Sequence, residues 1–268
     1  MNRPTPAEIL KRYFGYDSFR EGQETLINCI LSGRDCLGVM PTGAGKSICY
    51  QIPAMIMDGT AIVVSPLISL MKDQVGALTE AGIPAAYINS SLTEAQQSAV
   101  FSKAHSGAYK LIYVAPERLT SRDFIDFAAG TEISMLCVDE AHCISQWGQD
   151  FRPSYTGIPD FLSRLRKRPV VCAFTATATP KVRDDIRSKL GLVSPELLVT
   201  SFDRKNLYFE VRRPASKPAE LLGIIKNRPD RSGIVYCSTR ANVDTVCEQL
   251  CDAGISASRY HAGLSDDE

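Results

Sequence analysis

Short, continuous apolar runs recur along this chain, alternating with stretches whose apolar residues return every three or four positions. The runs fall at 36–40, 61–65, 85–88, 110–114, 135–139 and 169–174. A strand apolar on both faces belongs inside a sheet covered on both sides, and the helical periodicity between the runs supplies the cover. The pattern therefore predicts an α/β fold, a parallel sheet with helices on both faces. Helices are expected over 7–13, after the first run through Ile48, Tyr50, Ile52 and Met55, from Thr93 through Ala104, and from Thr179 onward. Thr93 and Gln96 have capping-box spacing, and Thr179-Pro180 places a capping hydroxyl before a proline at the first helical position.

The pattern restarts after residues 201–206. Residues 207–211 alternate like a short strand and Arg212-Arg213-Pro214 reads as a linker. A helix over 219–226, a strand over 233–237, a helix through Gln249 and a strand over 257–261 follow, and Ser265-Asp266-Asp267-Glu268 has the spacing of another helix start. Two domains are expected, at 1–203 and 204–268. A second domain of about 60 residues buries too little to stand securely alone, so the chain is expected to be a piece of a longer protein.

Composition narrows the class. A 44% hydrophobic content supports a real core, and 30 basic residues balance 30 acidic ones, so no global basic field announces nucleic acid. Binding of that kind must come from a local groove. No run approaches the roughly 20 apolar residues of a membrane span, and the N-terminus lacks the apolar core of a signal peptide. The nine cysteines are scattered without a Cys-x-x-Cys pair, which suits a reducing compartment and gives no reason to expect zinc. Cys247 and Cys251, four apart on one helical face, could suit a metal, but read more readily as small buried hydrophobes. A cytoplasmic protein is expected, with no membrane partner.

The chemistry begins at Met40-Pro41-Thr42-Gly43-Ala44-Gly45-Lys46-Ser47, between the first apolar run and its helix. Glycines there let the backbone curl with its N–H groups turned toward phosphate oxygens, and the helix N-terminus adds its positive end. Lys46 would reach the β and γ phosphates and Ser47 would ligate Mg²⁺. The strict phosphate-loop pattern asks for Gly where Met40 stands. The run ending in Asp139-Glu140-Ala141-His142 brings two carboxylates to the same edge of a parallel sheet. Asp139 can hold Mg²⁺ through its water shell, and Glu140 can orient and deprotonate an attacking water. The expected cofactors are ATP and Mg²⁺.

Other residues fall around that edge. Tyr16, Arg20 and Gln23 can stack on a purine and bond its edge, or cap the core from an N-terminal helix; the residues themselves leave both readings open. Ser65, Arg118, Thr175 and Thr177 stand at strand ends where a nucleic-acid backbone could lie. Residues 143–153 hold Trp147, the single tryptophan, with Phe151 and Arg152. Such a loop can stack exposed bases, at roughly 1–3 kcal/mol each, while a core-packed Trp147 is the alternative. The basic run 164–168 reads as a solvated helix end.

These motifs together resemble the N-terminal part of a RecQ-type DNA helicase of helicase superfamily two. The resemblance runs from Phe14-Gly15-Tyr16 to Tyr260-His261-Ala262-Gly263-Leu264 and includes Pro41–Ser47, residues 64–74, Asp139–His142 and the Trp147 loop, which is its most particular piece. It implies a RecA-like first domain with an incomplete second one, adenine contacts from Tyr16, Arg20 and Gln23, and coupling by His142 between nucleotide and DNA. It also implies single-stranded DNA at Trp147, Phe151 and Arg152, and a 3′-to-5′ motor acting on single strands and duplex junctions in repair and recombination. The family commonly has Gly at Ala44 and His at Gln149, so an altered phosphate loop and weaker coupling are expected. An RNA helicase of the same superfamily and a nucleotide-gated binding module are the competing readings. This chain by itself is expected to bind ATP but to hydrolyse it poorly.

Overall fold

The computed structural model describes residues 3–201 and 207–265, which divide into two compact units, Met1–Arg204 and Lys205–Glu268. In the first unit seven strands form one sheet: β1 (Cys36–Val39), β2 (Thr60–Val64), β3 (Ala85–Ile88), β4 (Leu111–Val114), β5 (Ile133–Val138), β6 (Val170–Thr175) and β7 (Glu196–Val199). Their spatial order is β3-β4-β2-β5-β6-β1-β7, and every pair is parallel. The six predicted strands are all present. β7 was not foreseen: it is a half-exposed edge strand, and no continuous apolar run marks it.

The helices of this unit are α1 (Pro6–Ile9), α2 (Gln23–Leu31), α3 (Lys46–Ile56), α4 (Ile68–Glu80), α5 (Glu94–His105), α6 (Arg122–Gly130), α7 (Ile158–Arg164) and α8 (Pro180–Lys189). Alternate residues of each strand serve opposite faces. Leu37, Val39, Ile62, Val64, Leu136 and Val138 join α5 to α8 through Phe124, Phe127, Phe161 and Ile186. Cys36, Val63, Tyr113, Met135, Cys137 and Phe174 join α2 to α4 through Leu26, Tyr50 and Val75. This is the doubly covered sheet the apolar runs predict. Gly38 is the one gap in β1, and a Cβ there would meet Phe174 at 2.9 Å.

Local signals match local structure. Thr5 and Glu8 close a capping box at α1, which passes into one π-helical segment, Leu10–Phe14, that Gly15 stops at φ +74°. Thr93 and Gln96 close the expected box on α5, and Thr179 caps α8 ahead of Pro180.

In the second unit the helices α9 (Lys217–Lys226) and α10 (Arg240–Asp252) form as expected, with Ser216 and Thr239 as capping hydroxyls. The strands expected at 207–211, 233–237 and 257–261 do not appear: none of these stretches enters a ladder. A strand exists only with a partner for its N–H and C=O groups. Here these stretches stay exposed, Tyr208 at 83% and Tyr236 at 92%. The expected domain boundary near 203 and the helix start at 266–268 lie outside the described residues.

One buried charge ties the sheet's N-terminal end together. Asp35, 3% exposed, accepts from the Val171 amide at 2.9 Å and the Val193 amide at 2.8 Å, and its carboxylate pairs with Arg168 at 2.6 Å. Its carbonyl receives the Glu196 amide. The preludes to β1, β6 and β7 thus share one acceptor. Arg168, part of the basic run expected to be solvated, is partly exposed but committed to this site. Asp35→Ala should lower the unfolding free energy of the first unit by about 2–4 kcal/mol, because it leaves two amides without an acceptor and Arg168 with only carbonyl partners. Urea unfolding followed by far-UV circular dichroism measures the loss, and Asp35→Asn, which keeps an acceptor, should recover part of it.

Candidate functional site

The sheet order puts the ends of β5, β6 and β1 side by side, with Val138 opposite Ala173 and Thr175 opposite Val39. Three loops leave that edge together. The first, 40–45, runs from β1 into α3 with Gly43 at φ +81° and Gly45 at φ +82°. Ala44, between them, is not among the residues with positive φ, so alanine sits there without strain. The positive φ that would have forced an altered loop at Ala44 is not found. Gly45 is required for a second reason: a Cβ there would stand 2.4 Å from Gln23 Nε2.

Gln23 braces this loop. It is 2% exposed, donates from Nε2 to the carbonyls of Gly45 (3.0 Å) and Ala44 (3.2 Å), and accepts the Arg20 amide at Oε1 (2.9 Å). Arg20 donates to the Gly43 carbonyl. The carboxamide expected on an adenine edge is therefore spent on the loop backbone, whereas Tyr16 remains half-exposed. Tyr16, Arg20, Gln23, Gly43, Gly45, Lys46 and Ser47 line one cleft of about 340 Å³. A cleft of about 620 Å³ lies at the opposite edge, among residues such as Arg166 and Lys167, and shares none of them. Lys46 Nζ donates to the Met40 carbonyl at 3.2 Å, and Met40 itself is buried. Pro41, Thr42 and Ser47 complete the loop and the first turn of α3.

The second loop carries the carboxylates. Burial, then the neighbouring Glu140 charge, push the Asp139 carboxyl up to about 6. Its carbonyl accepts the Tyr155 hydroxyl at 2.9 Å, and its Oδ1 accepts the Glu140 amide at 3.0 Å. Glu140 sits in the left-handed region at φ 46°, which a non-glycine residue holds only at a cost of about 1–3 kcal/mol. That bend brings its carboxylate to 3.2 Å from His142 Nδ1, and the bond to His142 holds the Glu140 carboxyl below its usual range. The same Nδ1 lies 2.8 Å from the Thr175 hydroxyl at the end of β6. His142 is raised to about 10 by the Cys143 sulfur and then by the Glu140 carboxylate.

Ser47 and Asp139 offer a hydroxyl and a buried carboxylate, the oxygen donors that suit Mg²⁺. Among the described residues no three His, Cys, Asp or Glu side chains gather as a metal cluster. A magnesium ion would therefore complete its shell with water and phosphate oxygens.

Beyond His142 the chain turns out to the surface. Trp147 is 64% exposed, so the core-packed alternative is excluded. Gly148 makes that exit possible, because a Cβ there would lie 2.4 Å from the His142 carbonyl. Other expected nucleic-acid contacts are placed differently. Ser65 is buried, its Oγ without a hydrogen-bond partner, and it cannot touch a bound strand directly. Thr175 is buried too and serves His142. Arg118 is tied to Gln97. Arg152 holds Asp150 at 2.8 Å and donates to the Pro66 carbonyl at 3.0 Å, so it straps the Trp147 loop to the exit of β2. Phe151 is half-buried and Thr177 exposed. Tyr155 and the Arg152 strap were missed because neither has a local sequence signal.

Comparison with known proteins places the chain in a family. The family profile described as DEAD/DEAH box helicase matches residues 20–186. The chain is 48% identical to the ATP-dependent DNA helicase RecQ of Bacillus subtilis, over 97% of this chain and 44% of that protein. It is 44% identical to the protein of the same name from Pasteurella multocida, over 98% of this chain and 41% of that protein. It thus spans less than half the length of these curated relatives. The crystal structure of the DUF1998 helicase MrfA bound to DNA superposes with a TM-score of 0.72 at 17% identity, covering 93% of this chain and 38% of that one, a likeness of fold.

The Glu140–His142 pair makes a titration prediction. His142, raised when folded, contributes stability that is full below its unfolded value and lost as pH rises through about 10. Glu140, lowered when folded, contributes above its unfolded value and loses that contribution as pH falls through the folded one. The imidazole of His142 should therefore remain protonated at about pH 8, where a free histidine is neutral. Nitrogen-15 NMR of the histidine rings, with His142→Asn for assignment, measures this, and Glu140→Gln should move the titration down.

Proposed function

The chain belongs to the DEAD/DEAH box helicase family, in its RecQ-type branch, and from that membership we propose that it carries the ATP site of a DNA-unwinding motor. The observation that carries this reading is the single cleft that joins Tyr16, Arg20 and Gln23 to Gly43, Gly45, Lys46 and Ser47. An aromatic ring at one end and a phosphate loop at the other match the two ends of a nucleoside triphosphate. Tyr16 stacks on the base, the loop amides and Lys46 hold the phosphates, and Ser47 with Asp139 holds Mg²⁺. Bound there, Mg²⁺ would neutralise phosphate charge.

Glu140 is the group that orients the attacking water. Its bond to His142 keeps it ionised, as a base must be, and His142 passes the state of this carboxylate to Thr175 and to the loop that exposes Trp147. Single-stranded DNA stacking on Trp147, with Phe151 later in the same loop, is then one short peptide segment away from the hydrolytic carboxylate. In the whole protein we place residues 1–203 as the first RecA-like domain and 204–268 as the start of the second. The motor runs 3′-to-5′ on single strands and duplex junctions, in the cytoplasm.

This chain by itself turns ATP over slowly. Arg20 is the one arginine lining the cleft among the described residues, and it is bonded to Gly43. The lining of that cleft holds no second guanidinium among the described residues, and an arginine that stabilises the transferred phosphoryl group is worth about 10³–10⁵ in rate. Equilibrium binding and steady-state turnover of the 268-residue chain test the reading, with Lys46→Ala as the blank. We expect ATP binding that Lys46→Ala abolishes, and turnover near the blank. Failure to bind ATP overturns the assignment, and stimulation by single-stranded RNA but not DNA moves the protein to the RNA helicases.

A further inference from the structure

Lys181 is the second residue of α8, where a cation opposes the helix dipole. Nothing in the nucleotide site uses it. Its Nζ lies 3.1 Å from the centroid of the Trp147 ring, a cation–aromatic contact between two otherwise exposed side chains.

The contact is part of a larger attachment of the Trp147 loop to α8. Ser145, fully buried, accepts the Trp147 amide on its hydroxyl at 3.2 Å. Lys189 donates to the Ile144 carbonyl at 3.1 Å and pairs with Asp185 at 3.0 Å. One helix therefore holds the loop by its backbone through Lys189, which Asp185 steadies, and holds the indole itself through Lys181. Lys181 thus covers one face of the indole, taken as the inner one, and with Trp147 64% exposed the opposite, outer face is open to solvent.

We propose that Lys181 is a positioning residue for single-stranded nucleic acid: its ammonium fixes the Trp147 indole so that the outer ring face is a ready platform for one base. The inference rests on the reading of Trp147 as a base-stacking residue. An exposed tryptophan on a loop samples several rotamers, and a base that stacks on it must first order the ring. A cation seated on the inner face removes that ordering from the binding step, as preorganisation does in general. Lys181 does not itself hold a phosphate in this arrangement.

Trp147 is the only tryptophan in the chain, so its fluorescence reports on this ring alone. The test compares the wild type with Lys181→Met, Lys181→Arg and Trp147→Ala. Two quantities are read: time-resolved anisotropy of Trp147 without DNA, and affinity for a dye-labelled oligo-dT at several salt concentrations. Lys181→Met should speed the ring's depolarisation and weaken binding about three- to tenfold, with Lys181→Arg restoring both. The slope of log affinity against log salt should be unchanged. A slope reduced by about 0.7 would make Lys181 a phosphate contact and overturn the proposal. So would tighter binding by Lys181→Met, which would make the lysine a cap that a base must displace. If Trp147→Ala weakens binding but Lys181→Met matches the wild type, the proposal fails alone. If Trp147→Ala binds oligo-dT as well as the wild type, the base-stacking reading fails with it.

Discussion

Everything at the nucleotide edge depends on parallel strand register. Backbone hydrogen bonds lock β5, β6 and β1 side by side with Val138 level with Ala173 and Thr175 level with Val39. A parallel ladder sends the loop that follows each strand out of the same end, so groups separated by 93 positions, Lys46 and Asp139, emerge in one place. A slip of one residue would exchange the two faces of a strand and turn its apolar side chains into the wrong core. Both faces are buried here, which makes the register costly to change. The same burial is why the strands carry small apolar residues, including a row of Cys36, Cys172 and Cys137 across neighbouring strands.

On that frame the site is built from compromises between local and tertiary demands. Glu140 takes a backbone conformation that its side chain disfavours, and in return its carboxylate reaches His142. His142 reaches Thr175 on the adjacent strand, so the third loop of the edge is tied to the second. Gly148 then allows the chain to pass close over the His142 carbonyl and leave the core with Trp147 outward. From carboxylate to indole the path is a chain of contacts, each with a definite partner. The phosphate loop is braced in a comparable way, with Gln23 and Arg20 supporting its carbonyls from α2 and the turn before it.

Stability and function are kept at opposite ends of the sheet. At the N-terminal end Asp35 gathers two amides and a guanidinium, a satisfied buried charge. At the C-terminal end polar groups are left with less: Asp139 is held toward its neutral form, and Ser65 has a buried hydroxyl without a partner.

By itself the sequence determined the six continuous strands, the capped helices and the loops that bear Lys46, Asp139 and Trp147. Those features rest on short-range physics: burial on both faces writes continuous apolar runs, caps need fixed spacings, and a glycine-rich turn leaves its residues in view. Only the tertiary structure decided the partners. Ser65 and Thr175 stood at strand ends like the other edge residues, yet burial withdrew both from any direct contact with a strand of nucleic acid. Gln23 turned to the loop backbone, and Arg152 and Arg118 were spent on Pro66, Asp150 and Gln97, because a side chain's partner is set by what the fold brings beside it. The half-exposed β7 and the unpaired stretches of the second unit mark the same limit from the other side. A strand is a relation between two segments, and one segment's composition does not contain its neighbour.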